Sequence, residues 1–284
     1  MKYKKFMKEK ENLAIENNKE ESAVYLLLLH VTGLKSNELF LKLEDEIDDN
    51  IINKFNELFD LYLYHEKPIQ YLIGYRCFYG YDFIVNENVL IPRNETEELV
   101  ENVLSLYNKY FKNKKVNACD VATGSGCIGI TLNLEEPNIN VCATDISDKA
   151  LDVAKENNKK LGANVKFYQG DMLEPLKGMK FDILVSNPPY IPEDEEVSKL
   201  VKDNEPNVAL FGGKDGLKFY KIILAGAKDI LNDKAIIAFE HGYNKTKEIE
   251  DIARYYFPNA KIISKKDLEG LDRMTFVIIG DFYE

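Results

Sequence analysis

Hydrophobic residues recur at helical spacing through the first 66 positions of the chain. Between Asn50 and Leu63 the apolar side chains lie three or four residues apart, which is the period of one helix face. The run from Ala23 to Leu29 is almost wholly apolar and indicates a buried helix. Gly33 and Pro68 interrupt the pattern. This region therefore predicts a bundle of three to five helices, which we expect to form an N-terminal domain over residues 1–70.

The pattern becomes aromatic and partly alternating between about residues 70 and 92. Residues 77–85 have the sequence Cys-Phe-Tyr-Gly-Tyr-Asp-Phe-Ile-Val, which is typical of strands. Asn86-Glu87-Asn88 forms a turn signal, and the apolar residues Val89 to Ile91 follow it. The segment predicts a β-hairpin linker over residues 71–92, with its turn at 86–88.

Short apolar runs alternate with amphipathic segments from Asn94 onward. This alternation predicts a mostly parallel sheet with helices on both faces, in a domain over residues 93–284. The last two strands are too close for a crossover helix, so we expect the final one to run antiparallel. The predicted strands are 116–122, 141–145, 165–169, 181–186, 235–240, 260–264 and 274–280, and the predicted helices lie near 95–111, 126–134, 148–161, 215–231 and 244–256.

A glycine-rich segment connects the first of these strands to a helix. Gly124, Gly126 and Gly129 match the pattern G-x-G-x-x-G, in which glycines let the backbone approach a nucleotide ligand at a helix N-terminus. Asp145 ends the next strand, where an acid can accept both hydroxyls of a ribose. A dinucleotide, S-adenosylmethionine and a purely structural turn are all compatible with this pattern.

Two features favour S-adenosylmethionine. Asp120 lies four residues before Gly124, where its carboxylate would repel a pyrophosphate but attract the ammonium group of a methionine moiety. The antiparallel last strand also departs from the usual dinucleotide-binding sheet. We therefore predict a Rossmann-like, class I S-adenosylmethionine-dependent methyltransferase fold. After the third strand, Asp171 is expected to accept the adenine amino group and Met172 to pack near the ring.

The fourth strand ends in Ser-Asn-Pro-Pro-Tyr, at residues 186–190. In open α/β sheets, ligands bind outside the carboxyl ends of the strands, so this segment should face the same site as the glycine loop. Asn187 Oδ1 and the carbonyl oxygen of Pro188 can accept both hydrogens of a planar nitrogen and align it with a methyl donor. Tyr190 can stack on the planar group. The alternative is a proline-rich strand end with no catalytic role.

Composition and charge limit the kinds of partner that we expect the protein to bind. The 284 residues include 37 Lys and Arg against 48 Asp and Glu, a formal charge of −11, which argues against non-specific nucleic-acid binding. No apolar segment resembles a signal peptide or a membrane span, so we expect no membrane association. Four cysteines without a C-x-x-C pair predict free, mostly buried thiols and a cytoplasmic location. The three histidines have no metal-ligand spacing, and we predict no metal.

At this point the sequence resembles the peptide chain release factor glutamine methyltransferases, the HemK/PrmC family, over almost its whole length. The most specific resemblance is at residues 89–97, Val-Leu-Ile-Pro-Arg-Asn-Glu-Thr-Glu. The Asn-Pro-Pro-Tyr motif alone also occurs in adenine and guanine methyltransferases. Other matching segments are Pro68–Gly74, Phe78–Gly80, Thr123–Gly126, Asp145, Glu205–Pro206, Gly213–Leu217, Glu240–Gly242 and Asp272–Arg273.

The resemblance implies that the enzyme methylates the side-chain nitrogen of the glutamine in the Gly-Gly-Gln motif of class I release factors. The helical domain would dock the factor, and the enzyme would act as a monomer. Glu240-His241 is interpreted as structural. Asp120 is predicted from its charge to contact the methyl donor. The resemblance implies further donor contacts at Ala122, Thr123, Gly124, Ser125, Gly126, Asp145, Asp171, Met172 and Asn187. It implies substrate contacts at Asn187, Pro188, Pro189 and Tyr190, with Arg93, Thr96 and Glu97 shaping the pocket.

The chain departs from the family at two positions. Ala122 stands where the family usually has glycine, and Met172 where it often has an aromatic residue. Both are expected to be tolerated. The rival functions are a DNA or RNA base N-methyltransferase, a helical interaction protein whose nucleotide fold is only a sensor, and a nicotinamide-dependent oxidoreductase.

Overall fold

The computed structural model describes residues 1–281, which divide into two compact units. The first unit contains Met1–Tyr75 together with Ser198–Asn204, and the second contains Arg76–Val197 and the chain from Glu205 onward. The helices are α1 Tyr3–Glu16, α2 Ser22–Thr32, α3 Ser36–Leu41, α4 Asp49–Tyr64, α5 Ile69–Ile73, α6 Asn94–Phe111, α7 Cys127–Glu135, α8 Asp148–Leu161, α9 Lys199–Asn204, α10 Lys218–Ile230 and α11 Thr246–Tyr256. The strands are β1 Tyr75–Phe78, β2 Tyr81–Ile84, β3 Val116–Val121, β4 Ile139–Asp145, β5 Lys166–Gln169, β6 Phe181–Ser186, β7 Leu231–Glu240, β8 Lys261–Lys266 and β9 Asp272–Ile279.

The first unit is a bundle built around aromatic side chains. Phe6 of α1 packs edge-to-face on Phe55 of α4, with ring centroids 5.0 Å apart. The side chain of Asp48 caps α4 by accepting a hydrogen bond from Asn50 N at 2.7 Å. Helix α9 also belongs to this unit, and Asn204 Nδ2 donates to the carbonyl oxygen of Glu66 at 2.9 Å. Helices α1–α5 fit the predicted bundle, whereas α9 was not predicted.

The hairpin is present, but its turn was predicted at the wrong place. Strands β1 and β2 are joined by Tyr79 and Gly80, which have φ angles of 51° and 81°. Two consecutive residues with positive φ form the two-residue turn that suits a twisted hairpin. The Asn-rich segment forms a side-chain turn instead, in which Asn86 Oδ1 accepts from Asn88 N at 3.0 Å. Residues 89–91 form no strand.

The second unit contains a seven-stranded sheet in the order β5-β4-β3-β6-β7-β9-β8. The first five strands of this order are parallel, and β9 runs antiparallel to both β7 and β8. The last strand is therefore antiparallel, as predicted, and it is inserted between β7 and β8. Successive side chains along a central strand point to opposite faces of the sheet. On β6, Ile183 and Val185 pack on the side of α6 and α7, and Leu184 packs on the side of α10 and α11.

The connection order changes direction between β3 and β6, since β4 and β5 lie on one side and β7 on the other. A crevice forms at such a switch point beyond the carboxyl ends of the strands. The sheet order thus fixes where a ligand site is expected.

Within residues 1–281, none of the helices has the length and apolar character needed to cross a bilayer. All four cysteines are free; Cys119 and Cys127 are buried, Cys142 is half-buried and Cys77 is exposed.

Candidate active site

The glycine loop and the Asn-Pro-Pro-Tyr segment follow neighbouring strands. Val121 ends β3 and Ser186 ends β6, and the two residues are paired in register. Ser186 Oγ donates to the carbonyl oxygen of Val121 at 2.6 Å, which ties the two strand ends together. Ala122 and Asn187 therefore begin two loops side by side, at the switch point of the sheet. We call the first the donor loop (residues 122–126) and the second the acceptor loop (residues 187–192).

The donor loop is built from left-handed backbone conformations. Ala122, Gly124 and Gly126 have φ angles of 61°, 57° and 84°. Helix α7 begins at Cys127, so its N-terminal amide groups follow the loop directly. Gly129 lies in the first turn, where an added Cβ would come 3.0 Å from Asp120 Oδ2. The third glycine of the motif thus permits close packing of the helix against β3.

Asp120 lies beneath the donor loop, away from the cavity. It is fully buried, and its Oδ2 accepts hydrogen bonds from Thr123 Oγ1 at 2.5 Å and from Gly129 N at 2.9 Å. Burial raises its pKa to about 6. Asp120 does not line the cavity, so the structure gives it a role in fastening the loop to α7 and provides no support for its predicted contact with a ligand ammonium group.

Asp145 faces the cavity from the end of β4. Its Oδ2 accepts from Gly124 N and its Oδ1 accepts from Ser147 N, both at 2.9 Å. Burial raises its pKa. Each carboxylate oxygen keeps a further lone pair, so Asp145 can still accept hydrogen bonds from a diol such as a ribose. This donor set fits the nucleoside part of S-adenosylmethionine.

The cavity between the donor and acceptor loops has a volume of about 270 Å³. Eleven predicted site residues line it, and the sequence did not single out the apolar wall formed by Ile146, Val208 and Phe219. Glu97, Gly126, Pro188 and Tyr190 were predicted at the site but do not line this cavity. The predicted residues that do line it are Arg93, Thr96, Ala122, Thr123, Gly124, Ser125, Asp145, Asp171, Met172, Asn187 and Pro189.

The acceptor loop is fixed by a second loop, at residues 210–216. Ile191 N donates to the carbonyl oxygen of Leu210 at 3.0 Å, and Gly212 N donates to that of Ile191 at 2.9 Å. An added Cβ at Gly216 would lie 2.3 Å from the carbonyl oxygen of Tyr190. Glycine is therefore required at this position for the two backbones to pack. Burial raises the pKa of Tyr190 to about 12, so this side chain is neutral.

Asn187 is held by two side chains from distant parts of the sequence. Its Nδ2 donates to Glu240 Oε1 at 2.9 Å and to Thr96 Oγ1 at 3.2 Å. Thr96 Oγ1 donates in turn to Glu240 Oε2 at 2.7 Å. Both hydrogens of the amide therefore have protein acceptors, and Oδ1 remains for a ligand. Glu240 was interpreted as structural from the sequence, and the structure places it against the key residue of the acceptor loop.

Arg93, the residue before α6, is bonded to Glu205, which lies three residues before Val208 of the apolar wall. Its Nη2 donates to Glu205 Oε1 at 2.5 Å, and Ile91 N donates to Glu205 Oε2 at 3.1 Å. The side chain of Glu205 is almost completely buried. Arg93 thus lines the cavity, with Glu205 as its partner.

A sheet of this order, with a glycine loop, a strand-end acid and an Asn-Pro-Pro-Tyr loop meeting at one cavity, defines a class I methyltransferase. Comparison with known proteins agrees. Residues 5–74 match the family described as PrmC N-terminal domain, and residues 99–204 match the family described as Methyltransferase small domain. The crystal structure of a methyltransferase from Pyrococcus furiosus has the same fold, with a TM-score of 0.53 at 19% identity, covering 72% of this chain and 91% of that one.

Curated relatives narrow the class to one family. The release factor glutamine methyltransferase of Bacillus cereus is 43% identical over 92% of this chain and 93% of its own length. The protein of the same name from Bacillus subtilis is 43% identical, with 93% of each chain covered. The chain belongs to the release factor glutamine methyltransferase family. The predicted family and fold class are thereby confirmed.

Proposed function

We propose that this enzyme methylates the side-chain amide nitrogen of a glutamine in class I release factors, at their Gly-Gly-Gln motif. The observation that carries the proposal is the fixed amide of Asn187, whose Nδ2 is bonded to Glu240 and Thr96 while the residue lines the cavity. Its Oδ1 is a preset acceptor for one N–H of a primary amide. Relatives of the chain are named for this reaction.

The acceptor loop works by positioning. An amide nitrogen is a poor nucleophile because its lone pair is delocalised, so its alignment with the donor's methyl carbon limits the reaction. Asn187 Oδ1 and the carbonyl oxygen of Pro188 are the proposed acceptors for the two N–H groups, and Tyr190 is the proposed stacking surface. Pro188 itself has no backbone N–H, so it presents an acceptor alone.

The donor side binds S-adenosylmethionine in this proposal. Asp145 accepts hydrogen bonds from the ribose, Ile146 and Met172 supply apolar surface near the base, and Ala122 to Gly126 approach the methionine part. The bound donor supplies an electrophilic methyl group, whose bond to sulfur breaks as the bond to nitrogen forms, leaving S-adenosylhomocysteine. The methylated nitrogen then loses one of its two hydrogens as a proton. No metal takes part in this scheme.

The test is transfer to a defined protein substrate. The purified enzyme is incubated with S-adenosylmethionine and a class I release factor, and the digested factor is analysed by mass spectrometry. We expect the mass of the Gly-Gly-Gln peptide to rise by the mass of one CH2, because a methyl group replaces one hydrogen, with fragment ions that place the methyl group on the glutamine. A factor with Gly-Gly-Asn at this site is the matched control and should stay unmodified.

A base methyltransferase is the rival that uses the same four-residue motif. The same incubation with labelled donor and with single- and double-stranded DNA and RNA oligonucleotides separates the two functions. The net charge of −11 disfavours nucleic acid. Label on an oligonucleotide, with none on the release factor, would overturn the proposal.

A further inference from the structure

The half-buried Asn187 of the acceptor loop forms a closed hydrogen-bonded set with two buried side chains, Thr96 and Glu240. Thr96 comes from the first turn of α6, Asn187 follows β6, and Glu240 ends β7. Thr96 and Glu240 are each 2% exposed. Asn187 is the member that lines the cavity together with Thr96, while Glu240 lies behind them. We call this set the amide lock.

When Glu240 is ionised, each hydrogen bond in the amide lock has a fixed donor and a fixed acceptor. A carboxylate accepts hydrogen bonds and donates none, so Nδ2 of Asn187 must face it. Thr96 uses its one hydrogen on Glu240 Oε2 and therefore offers a lone pair to the second hydrogen of the amide. Reversing the amide would place Oδ1 against the carboxylate and leave two acceptors facing each other, which is costly in a buried site.

We propose that Glu240 is a positioning residue which, with Thr96, locks the amide of Asn187 so that its oxygen faces the substrate. The proposal rests on the proposed function, because it explains how the site selects an N–H donor. Without the lock, the amide can present its NH2 group instead, which repels the N–H of a substrate amide. Glu240 thus acts through Asn187 and does not touch the reacting atoms.

The surroundings of Glu240 make the lock sensitive to pH. Burial raises the pKa of Glu240 to about 7. A protonated Glu240 can donate to Oδ1, so the reversed amide becomes acceptable. Turnover should therefore fall as pH drops through about 7. The titratable or charged groups around Glu240 are Glu95 from α6, Arg273 from β9, Tyr190 from the acceptor loop, Tyr220 from α10, Cys127 from α7 and the adjacent His241.

Replacing Glu240 by glutamine tests the lock with almost no change of shape. Glutamine can donate as well as accept, so it no longer selects one amide orientation. For Glu240→Gln at pH 8 we expect kcat to fall about 10- to 100-fold, since one misoriented contact costs on this order. The KM for S-adenosylmethionine should change less than twofold. The acidic limb of the pH profile near 7 should disappear.

Thr96 and Tyr220 supply the matched variants. Thr96→Val removes the hydroxyl at constant shape and should lower kcat, whereas Thr96→Ser retains it and should restore most of the turnover. Tyr220 Oη donates to the backbone carbonyl of Glu240 at 2.8 Å. Tyr220→Phe therefore removes a buried hydrogen bond at the same residue without touching the lock. Equal losses of kcat in Tyr220→Phe and Glu240→Gln would overturn the proposal.

A spectroscopic readout keeps the lock testable apart from the identity of the substrate. In the ¹⁵N-labelled protein, Asn187→Asp assigns the side-chain NH2 signal of Asn187. Slow exchange of both protons with water is expected in the wild type at pH 8, and faster exchange in Glu240→Gln, while the two signals stay distinct in both proteins because rotation about the amide C–N bond is slow. Unchanged exchange in that variant would contradict the lock even if release factors are methylated. Protected protons without methylation of any factor would support the lock and contradict the proposed function.

Discussion

The donor loop and the acceptor loop lie at the same edge of one sheet, yet they are held in different ways. The donor loop takes its shape from backbone conformations with positive φ and from two aspartates within 26 positions, Asp120 and Asp145. The acceptor loop depends on side chains and glycines drawn from residues 96 to 240. The contacts that shape the donor loop are therefore local in the sequence, whereas those that orient the Asn187 amide come from residues that only the assembled sheet brings together.

The largest expected effect separates the two loops directly. Asn187→Ala removes the oriented acceptor, and we expect kcat to fall about 30- to 1,000-fold, as for loss of one preorganised hydrogen-bonding group. The dissociation constant for S-adenosylmethionine, measured by calorimetry, should change less than threefold. Unchanged kcat would contradict the assignment of the acceptor loop.

Asp145→Asn gives the reciprocal test on the donor side. Replacing one carboxylate oxygen by NH2 removes a charged acceptor, and donor binding should weaken about 10- to 100-fold. The kcat at saturating donor should stay within a few-fold of the wild type. Asp148→Asn is the control, because Asp148 is exposed in the first turn of α8 and does not line the cavity. Equal effects on kcat and on donor binding would show that the two loops are not separable.

Gly216→Ala probes the backbone contact that fixes the acceptor loop. Gly216 has φ of 72°, and its added Cβ would lie 2.3 Å from the carbonyl oxygen of Tyr190. Gly178→Ala is matched, with φ of 85° and nothing within 4 Å of the added atom. Both variants lose ~1–2 kcal/mol of stability to the left-handed conformation. Only Gly216→Ala should also lower kcat, by about tenfold or more. Thermal unfolding and steady-state kinetics on both proteins check this.

Ionisation of Glu240 should carry a measurable cost in stability. Its raised pKa means that the folded protein binds this proton more tightly than the unfolded chain does. The stability contributed by the neutral group is lost as pH rises from about 4.5 towards 7. Between pH 6 and pH 8 this amounts to about 1 kcal/mol. Denaturant unfolding of Glu240→Gln should show a pH dependence smaller by this amount, since Asp120 titrates equally in both proteins.

The smallest expected effect concerns the donor loop alone. Ala122 has φ of 61°, which costs a non-glycine residue ~1–2 kcal/mol. Ala122→Gly relieves that strain but gives the unfolded chain more freedom, worth ~0.4–1 kcal/mol. A net stabilisation of about 0 to 1.6 kcal/mol, with unchanged kcat, is expected from denaturant unfolding. A loss of stability would mean that the methyl group makes a compensating contact.

The donor loop could be predicted because the residues that shape it lie close together in the sequence. The glycine spacing and the acid that ends the next strand predict a nucleotide-binding loop before any contact is known. Asp120 is the exception. The sequence places this acid near a strand end, but on β3 it shares a face with Ala118, on the side of the sheet covered by α7, where Gly129 N donates to it.

The acceptor half could be predicted only in part. The motif at residues 187–190 is visible in the sequence, but Glu240 lies 53 positions from Asn187 and becomes its neighbour because β6 pairs with β7. The hairpin turn was misplaced for a related reason. Asn86 to Asn88 has a stronger turn composition than Tyr79-Gly80, and the pairing of the strands around Phe78 and Phe83 decides between them.

Helix α9 belongs to the first unit although its sequence lies within that of the second. The chain leaves the second unit after Val197, contributes Ser198–Asn204 to the first, and returns at Glu205. The first unit is therefore discontinuous in sequence, and its last segment is encoded within the catalytic half, between the acceptor loop and the partner of Arg93. A gene fusion or truncation that exchanges residues 1–75 alone would leave α9 without the helices it folds with. No single cut in the sequence therefore separates the two units.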